Sequence, residues 1–167
     1  MTAAAEMETY EVVTTPLGIL HGREAIAVED VEFVEGRTHL RLTGRIRTAL
    51  ATRIPAGLAP EIAFELLFTG VVGITVSQPG MARHPEVLTG DEFADGGPSF
   101  LRVHDSAWLA LLTRDYIARH VPTYDEEPAT EHYLLHTSDE SFEVLCHGWE
   151  IRLDHPMFAG VNLPPGQ

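Results

Sequence analysis

Cysteine, positive charge and long apolar runs are all scarce in this sequence, and each scarcity excludes a class of protein. The single cysteine, Cys146, excludes an internal disulfide and any cysteine-rich zinc scaffold. Eleven Lys plus Arg against 25 Asp plus Glu give a net charge of −14, which argues against nucleic-acid binding because that binding neutralises phosphates with basic side chains. No run approaches the ~20 apolar residues of a membrane span. The first residues lack the pattern of a signal peptide, so we expect a cytoplasmic protein that binds neither membrane nor nucleic acid.

The remaining composition is that of an ordinary folded domain. The chain has 167 residues, 44% of them hydrophobic, which suffices for one domain with a sizeable core. We predict a disordered start over residues 1–8, a single domain over 9–155 and an extended tail over 156–167. A long loop is predicted at 78–99, where glycine and proline are frequent, and loops of this length are often functional.

A hairpin is predicted between Ile26 and Thr48. Glu35-Gly36 separates two β-rich runs, and glycine at the second position suits a two-residue turn. This turn implies two opposite-charge pairs on the outer face, Asp30–Arg41 and Glu32–His39. The apolar residues that share the other face are Val31, Phe33, Leu40 and Leu42.

The segment Glu61–Val76 alternates with period two, which predicts a long strand. Its apolar residues occupy even positions: Ile62, Phe64, Leu66, Phe68, Val72, Ile74 and Val76. Gly70 and Gly73 are predicted to be bends or bulges where this strand curves. A helix over residues 60–69 is the alternative, because Pro60 and Glu61 are typical of a helix start and Gly70 of a helix end.

One helix is predicted over Ser106–His120, capped by Asp105 or Ser106. Its apolar stripe comprises Trp108, Leu109, Leu112 and Tyr116. A proline two residues after the predicted end prevents the helix from continuing.

A second hairpin is predicted from Glu131–Thr137 and Ser141–Leu153. The inward alternation of its second strand changes phase at Gly148, and a bulge there directs six residues to one face: Phe142, Val144, Cys146, Trp149, Ile151 and Leu153. Together these elements predict an α+β fold with a mostly antiparallel, curved sheet, sandwich- or half-barrel-like, and one main α-helix packed on it.

The chain has nine histidines, and they are densest in this last hairpin. His132, His136 and His147 are candidate zinc ligands, with the Cys146 thiolate beside them. His132 and His136 lie about 13 Å apart on an extended strand at ~3.3 Å per residue, so the three histidines cannot share one ion. A metal site therefore requires His132 or His136 to meet His147 across the hairpin. The alternative is a polar outer face with half-exposed histidines, and no cofactor is predicted.

Other catalytic residue types lack the arrangement that a reaction needs. Cys146 alternates with core residues, so we predict a buried, unreactive thiol. The tripeptide His104-Asp105-Ser106 contains the residue types of a catalytic triad, but a triad depends on convergence in space, and a helix cap explains Asp105 and Ser106. No catalytic residue is predicted, and whether the protein is an enzyme stays open.

Five arginines lie within residues 37–53, and Arg41, Arg45 and Arg47 are predicted to share the solvent face of one strand. They form either a patch for a small anion or an acidic partner, or a face neutralised by acids such as Asp30 and Glu32 on the neighbouring strand.

The last third of the chain resembles small uncharacterised bacterial proteins. The residues that carry this resemblance are Ser99-Phe100-Leu101, Asp105-Ser106, Trp108-Leu109, His132-Tyr133, Thr137, Asp139 and Glu143-Val144-Leu145. In those proteins a short helix precedes a hairpin of the form HY…T.D…EV. The resemblance implies the same helix and hairpin here and names no activity.

The acidity, the single small domain and the lack of a complete catalytic set predict a non-catalytic binding or accessory protein, such as an immunity-type or toxin-neutralising protein. An acidic surface suits a basic protein partner through electrostatic steering. The alternative is a small metal-dependent enzyme that uses the C-terminal histidines. We expect a monomer or a small homo-oligomer.

Overall fold

A computed structural model describes residues 7–78, 97–119 and 129–161 of the chain. Within these ranges the strands are β1 (Thr9–Val12), β2 (Ile26–Val34), β3 (His39–Arg47), β4 (Glu61–Thr69), β5 (Gly73–Ser77), β6 (Phe100–His104), β7 (Glu131–His136), β8 (Ser141–Cys146) and β9 (Gly148–Leu153). One α-helix, α1, spans Ala107–Arg119, and turns of 3-10 helix lie at Arg23–Ala25, Thr48–Leu50 and Pro156–Phe158. Most of the predicted disordered start, long loop and tail lies outside the described residues, as does the side chain of Tyr116.

The strands form two antiparallel sheets, which corrects the prediction of one curved sheet. Sheet I has five strands in the order β1-β6-β7-β8-β5, and sheet II has four in the order β2-β3-β4-β9. The mostly antiparallel α+β class is confirmed. No helix of the described residues is long and apolar enough to cross a membrane.

A sharp corner divides the long predicted strand between the two sheets. Thr69 still pairs with Gly148 in sheet II, whereas Gly73 pairs with Leu145 in sheet I. Gly70 lies between them with a φ of 60°, a conformation that glycine adopts readily. A Cβ atom at Gly70 would also collide with the ring of His147. The predicted bend is confirmed, and the alternative of a helix over 60–69 is wrong because β4 occupies that segment.

One apolar core fills the space between the sheets. The ring centroids of Phe68 in sheet II and Phe100 in sheet I lie 6.2 Å apart, edge to face, and Trp149 lies 5.0 Å from Phe100. The six residues that the phase change at Gly148 aligns all belong to this core: Phe142, Val144, Cys146, Trp149, Ile151 and Leu153. The predicted inward face is confirmed, but the predicted bulge is wrong, because β8 ends at Cys146 in sheet I and β9 begins at Gly148 in sheet II.

The hairpin of β2 and β3 is confirmed, but its predicted register is wrong. The turn has four residues, 35–38, instead of two, and Val34 is the last paired residue of β2. Three residues of this turn have positive φ, so the chain reverses over a wider loop. Arg41 consequently pairs with Glu32 and not with Asp30. The observed pairing differs from the predicted one by two positions. Because side chains alternate along a strand, an even shift leaves each side chain on its predicted face.

The helix α1 is confirmed, and of its predicted apolar stripe Trp108 and Leu109 are half-buried whereas Leu112 is exposed. Ser106 Oγ accepts a hydrogen bond of 3.1 Å from the backbone N–H three residues later and so caps the helix. The Trp108 ring packs edge to face on His132 of sheet I, with centroids 5.4 Å apart. Leu111 and Leu112, in the next turn, are exposed. The described contacts of α1 with sheet I therefore come from its first turn.

Candidate functional site

His132, the first candidate zinc ligand, is buried on the outer face of sheet I. Its Nδ1 lies 2.8 Å from Ser106 Oγ, and its Nε2 lies 3.6 Å from a carboxylate oxygen of Glu143. Ser106 and Glu143 are buried as well. The predicted half-exposed state is wrong for His132, because Ser106 and Trp108 at the start of α1 lie over it. This set fastens the start of α1 to sheet I.

His136 and His147 lie in other surroundings. His136 is buried, with its Nδ1 2.9 Å from Ser141 Oγ, so the half-exposed state is wrong for it too. His147 is half-buried at the corner beside Gly70. Within the described residues, no group of three or more His, Cys, Asp or Glu side chains is placed to hold a metal ion. Within the part of the chain that the structure describes, the metal-dependent alternative therefore has no site of three or more such ligands.

Two further sequence predictions concern nucleophiles. Burial raises the pKa of the Cys146 thiol to about 12, so the thiol stays protonated near neutral pH and is a poor nucleophile. The prediction of a buried Cys146 is confirmed. His104 faces Glu11, 2.6 Å away, and its neighbour Ser106 serves as the helix cap. The tripeptide is therefore not a converged triad.

The outer face of sheet II carries the predicted arginines, and acids of neighbouring strands neutralise them. The ion pairs of this face, all at 4.0 Å or less, are Arg41 with Glu32 and Glu65, Arg45 with Glu29 and Glu61, Arg47 with Glu24 and Glu61, and Arg152 with Glu65 and Glu150. The interpretation that acids neutralise this face is confirmed, because each of these arginines contacts glutamates of the same protein.

The feature that stands out is a gap between two strand edges. β2 is an edge of sheet II, and β5 is an edge of sheet I. Backbone hydrogen bonds join the regions at the two ends of these strands: Val71 N–H donates to the Thr38 carbonyl at 2.7 Å, and Ser138 N–H donates to the Ile26 carbonyl at 2.9 Å. Among the described residues, no backbone hydrogen bond joins β2 to β5 themselves. We name this gap the seam.

Side chains that the register directs toward the core are exposed at the seam. Phe33 lies opposite Leu40, and Val76 lies opposite Phe142, and both partners are fully buried. Phe33 is nevertheless 45% exposed, Val76 is 48% exposed and Val31 is 42% exposed. The apolar interior of the sandwich is thus partly exposed beside these two strand edges.

Acidic side chains border the seam. Glu29, Asp30 and Glu32 lie along β2, and Glu35 lies in the turn that follows it. Within the described ranges, Asp30 takes part in no salt bridge, in contrast to Glu29 and Glu32. Asp139 lies at the opposite end, next to Ser138, which bonds to the start of β2. Glu29 and Glu32 already contact arginines and Glu35 contacts His39, so Asp30 and Asp139 are the acids of this border that favour a positively charged segment over a negatively charged one.

The sequence does not reveal the seam, because the alternation of Val31 and Phe33 is also typical of a core strand. One signal was available: three acids, Glu29, Asp30 and Glu32, lie within β2, and charged side chains are typical of an edge strand. The exposure of Val76 on β5 had no comparable signal in the sequence.

Comparison with protein-family models, with curated proteins and with solved structures finds no match to this chain. The resemblance of the last third to small bacterial proteins stays a prediction.

Proposed function

We propose that the protein is a non-catalytic binding module that takes an extended, basic segment of a partner protein into the seam. The observation that supports this proposal most directly is the exposure of three core-directed residues, Val31, Phe33 and Val76, between two unpaired strand edges. A bound strand forms main-chain hydrogen bonds with the free N–H and C=O groups of the edge strand. Every second side chain of the bound strand then lies in the seam, against the exposed apolar residues.

The length of the free edge sets the length of the ligand. The Ile26 carbonyl already accepts a bond from Ser138, so the free edge runs from Ala27 to Val34. At ~3.3 Å per residue a strand of about eight residues spans it. Side chains of such a strand point alternately into the seam and to solvent, so the ligand alternates apolar and basic residues.

The charge of the protein favours the same class of partner. The formal net charge is −14, and acids border the seam along β2. Such a surface raises the rate of association with a basic protein. This electrostatic effect decreases as the salt concentration is raised. An immunity-type or toxin-neutralising protein that captures a basic toxin is the specific role we propose for this module.

Binding is tested with a fluorescein-labelled, C-terminally amidated octapeptide of alternating lysine and valine. We expect a saturable rise in fluorescence anisotropy on adding the protein, and a lower affinity as sodium chloride is raised from low concentration. An octapeptide in which glutamate replaces every lysine is the control and should not bind. Equal binding of the two peptides, or binding of neither, would contradict the proposal.

One substitution in the seam and one on α1 locate the binding surface. Phe33→Lys removes an apolar side chain of the seam and adds a positive charge, so the affinity for the lysine–valine peptide should fall about tenfold or more. Ala110→Lys adds the same charge at an exposed position of α1, which packs on sheet I and not on β2, and is the matched control, with at most a small change in affinity. Equal losses in both variants would show that net charge alone controls binding.

A second copy of the chain is the other occupant that the experiment distinguishes. Sedimentation equilibrium of the wild type and of Phe33→Lys measures self-association. A dimer that Phe33→Lys dissociates, together with no binding of the peptide, would assign the seam to self-association and overturn the proposal.

A further inference from the structure

Arg23 lies at the end of the seam where β2 begins. Its 3-10 turn leads directly into β2 at Ile26. One guanidinium nitrogen donates to the Thr137 carbonyl at 3.3 Å, and the other donates to Ser141 Oγ at 2.9 Å. Ser141 pairs with Ser77, the last residue of β5. Arg23 therefore stands between the start of one edge strand and the end of the other.

The charge of Arg23 has no acidic partner among the described residues. Its three contacts are the Thr137 carbonyl, Ser141 Oγ and His136 Nδ1, the last at 3.4 Å, and none of them is a carboxylate. In contrast, every arginine described on the outer face of sheet II contacts glutamates. Arg23 is partly buried, and this burial lowers the pKa of its guanidinium. A partly buried cation without a counter-ion is stabilised when an anion is brought to it.

The direction of a bound strand determines which of its ends meets Arg23. β2 offers the longer edge, nine residues against five in β5, and antiparallel pairs are the commoner kind, so the proposed segment pairs antiparallel with β2 and runs parallel to β5. A segment that pairs antiparallel with β2 runs from Val34 toward Ile26 and finishes beside Arg23. The bonds to Thr137 and Ser141 leave further N–H donors of the guanidinium for a carboxylate.

From this juxtaposition we infer that Arg23 binds the C-terminal carboxylate of the segment held in the seam, an inference that rests on the proposed function. The seam then selects the basic, alternating sequence, and Arg23 fixes the direction and the register of the bound segment. A basic tail that ends a protein chain is the ligand class that this arrangement fits.

The test compares two forms of the lysine–valine octapeptide, one with a free C-terminal carboxylate and one amidated. Wild-type protein should bind the free acid about tenfold more tightly. Net charge alone predicts the opposite order, because the free acid is the less positive peptide and the protein is acidic. Arg23→Gln should remove the preference, while Arg23→Lys, which keeps the charge, should retain part of it and serves if Arg23→Gln does not fold.

Arg37, in the turn at the other end of β2, provides the matched control. It is exposed, and Arg37→Gln removes one positive charge without contact to the carboxyl end of the bound segment, so the preference for the free acid should persist. A loss of preference in Arg37→Gln would assign the effect to net charge and overturn the inference.

The remaining outcomes separate the inference from the proposed function. Equal binding of both peptides to the wild type would overturn the role of Arg23 and leave the seam as the binding surface. An Arg23→Gln variant that weakens both peptides equally and keeps the preference would give Arg23 a structural role only. Binding of neither peptide to the wild type would overturn the proposed function and the inference together.

Discussion

The backbone N–H of Val71 donates to the carbonyl of Thr38 across 2.7 Å, and this bond ties the corner between β4 and β5 to the turn between β2 and β3. The second tie, from Ser138 to Ile26, lies at the other end of β2. Between these two bonds the edges of β2 and β5 are held in one region without pairing. The position of the seam is therefore set by the fold, because the Val71–Thr38 bond fixes one end of it and the Ser138–Ile26 bond fixes the other.

The first prediction concerns Trp149, which closes the core against Phe100. Trp149 is 7% exposed, so Trp149→Ala should lower the free energy of unfolding by about 3–5 kcal/mol, as other large core truncations do. Urea titration measures the loss, and Leu111→Ala on the exposed part of α1 is the control, with a change of about 0.5 kcal/mol or less. In a Trp108→Phe background, an emission maximum typical of water-exposed tryptophan would contradict the buried position of Trp149.

The second prediction concerns Arg41 on the outer face of sheet II. Arg41 contacts Glu32 at 3.1 Å and Glu65 at 3.5 Å, and its side chain is 37% exposed. Exposed ion pairs contribute little in water, so Arg41→Ala should cost about 0–1 kcal/mol, and less at high salt. Denaturant titration at two salt concentrations provides the measurement. A loss of several kcal/mol that is insensitive to salt would show that the pair acts as a buried one.

The third prediction concerns Ser106, which caps α1 and contacts His132. Ser106→Ala removes the acceptor of a helix N–H and the hydroxyl beside His132 Nδ1, so the free energy of unfolding should fall by about 1–3 kcal/mol. Ser106→Thr retains the hydroxyl and should recover most of that stability. If Ser106→Ala unfolds at the wild-type urea concentration, the cap and the contact with His132 contribute nothing.

The fourth prediction concerns stability at alkaline pH. Burial raises the pKa of Cys146 to about 12 and, together with Glu131, raises the pKa of Tyr133. Both groups are neutral when protonated, and in the unfolded chain they ionise at lower pH than in the native protein. Above about pH 9 the unfolded state therefore binds fewer protons, so the free energy of unfolding should fall as pH rises toward 12.

Urea titrations from pH 8 to pH 11 measure this loss. Cys146→Val removes one of the two groups and should flatten the pH dependence, although its stability at pH 8 also reflects the changed packing. The native thiol should react slowly with a disulfide reagent at pH 8 and rapidly after unfolding. A thiol that reacts as fast in the native protein as in urea would contradict its burial.

Local signatures in the sequence predict where strands are interrupted and where the helix begins, although the interruption at Gly148 is a change of sheet and not the predicted bulge. Gly70 and Gly148 interrupt two strands, and each marks the place where the chain leaves one sheet for the other. Ser106 was recognised as a helix cap from its position before an apolar segment, and its bond to the helix confirms that role. These features depend on backbone conformation and on residues only a few positions apart.

Features that depend on distant contacts were not predictable in the same way. The pairing of Arg41 with Glu32 follows from a turn in which three successive residues have positive φ, and the dipeptide Glu35-Gly36 did not indicate so wide a loop. His132 is buried because a residue 26 positions earlier, Ser106, lies over it. The position of Arg23 at the end of the seam likewise depends on contacts more than 100 positions away.

By itself the sequence determined which side of each strand is apolar and where the strands are interrupted, because alternation and glycine act over neighbouring residues. Only the tertiary structure decided which apolar sides are covered. Phe33 and Phe68 occupy equivalent positions in alternating strands of sheet II, yet Phe68 is 0% exposed and Phe33 is 45% exposed. The difference arises because a side chain is buried only where another layer lies opposite it, and the opposite sheet ends at β5.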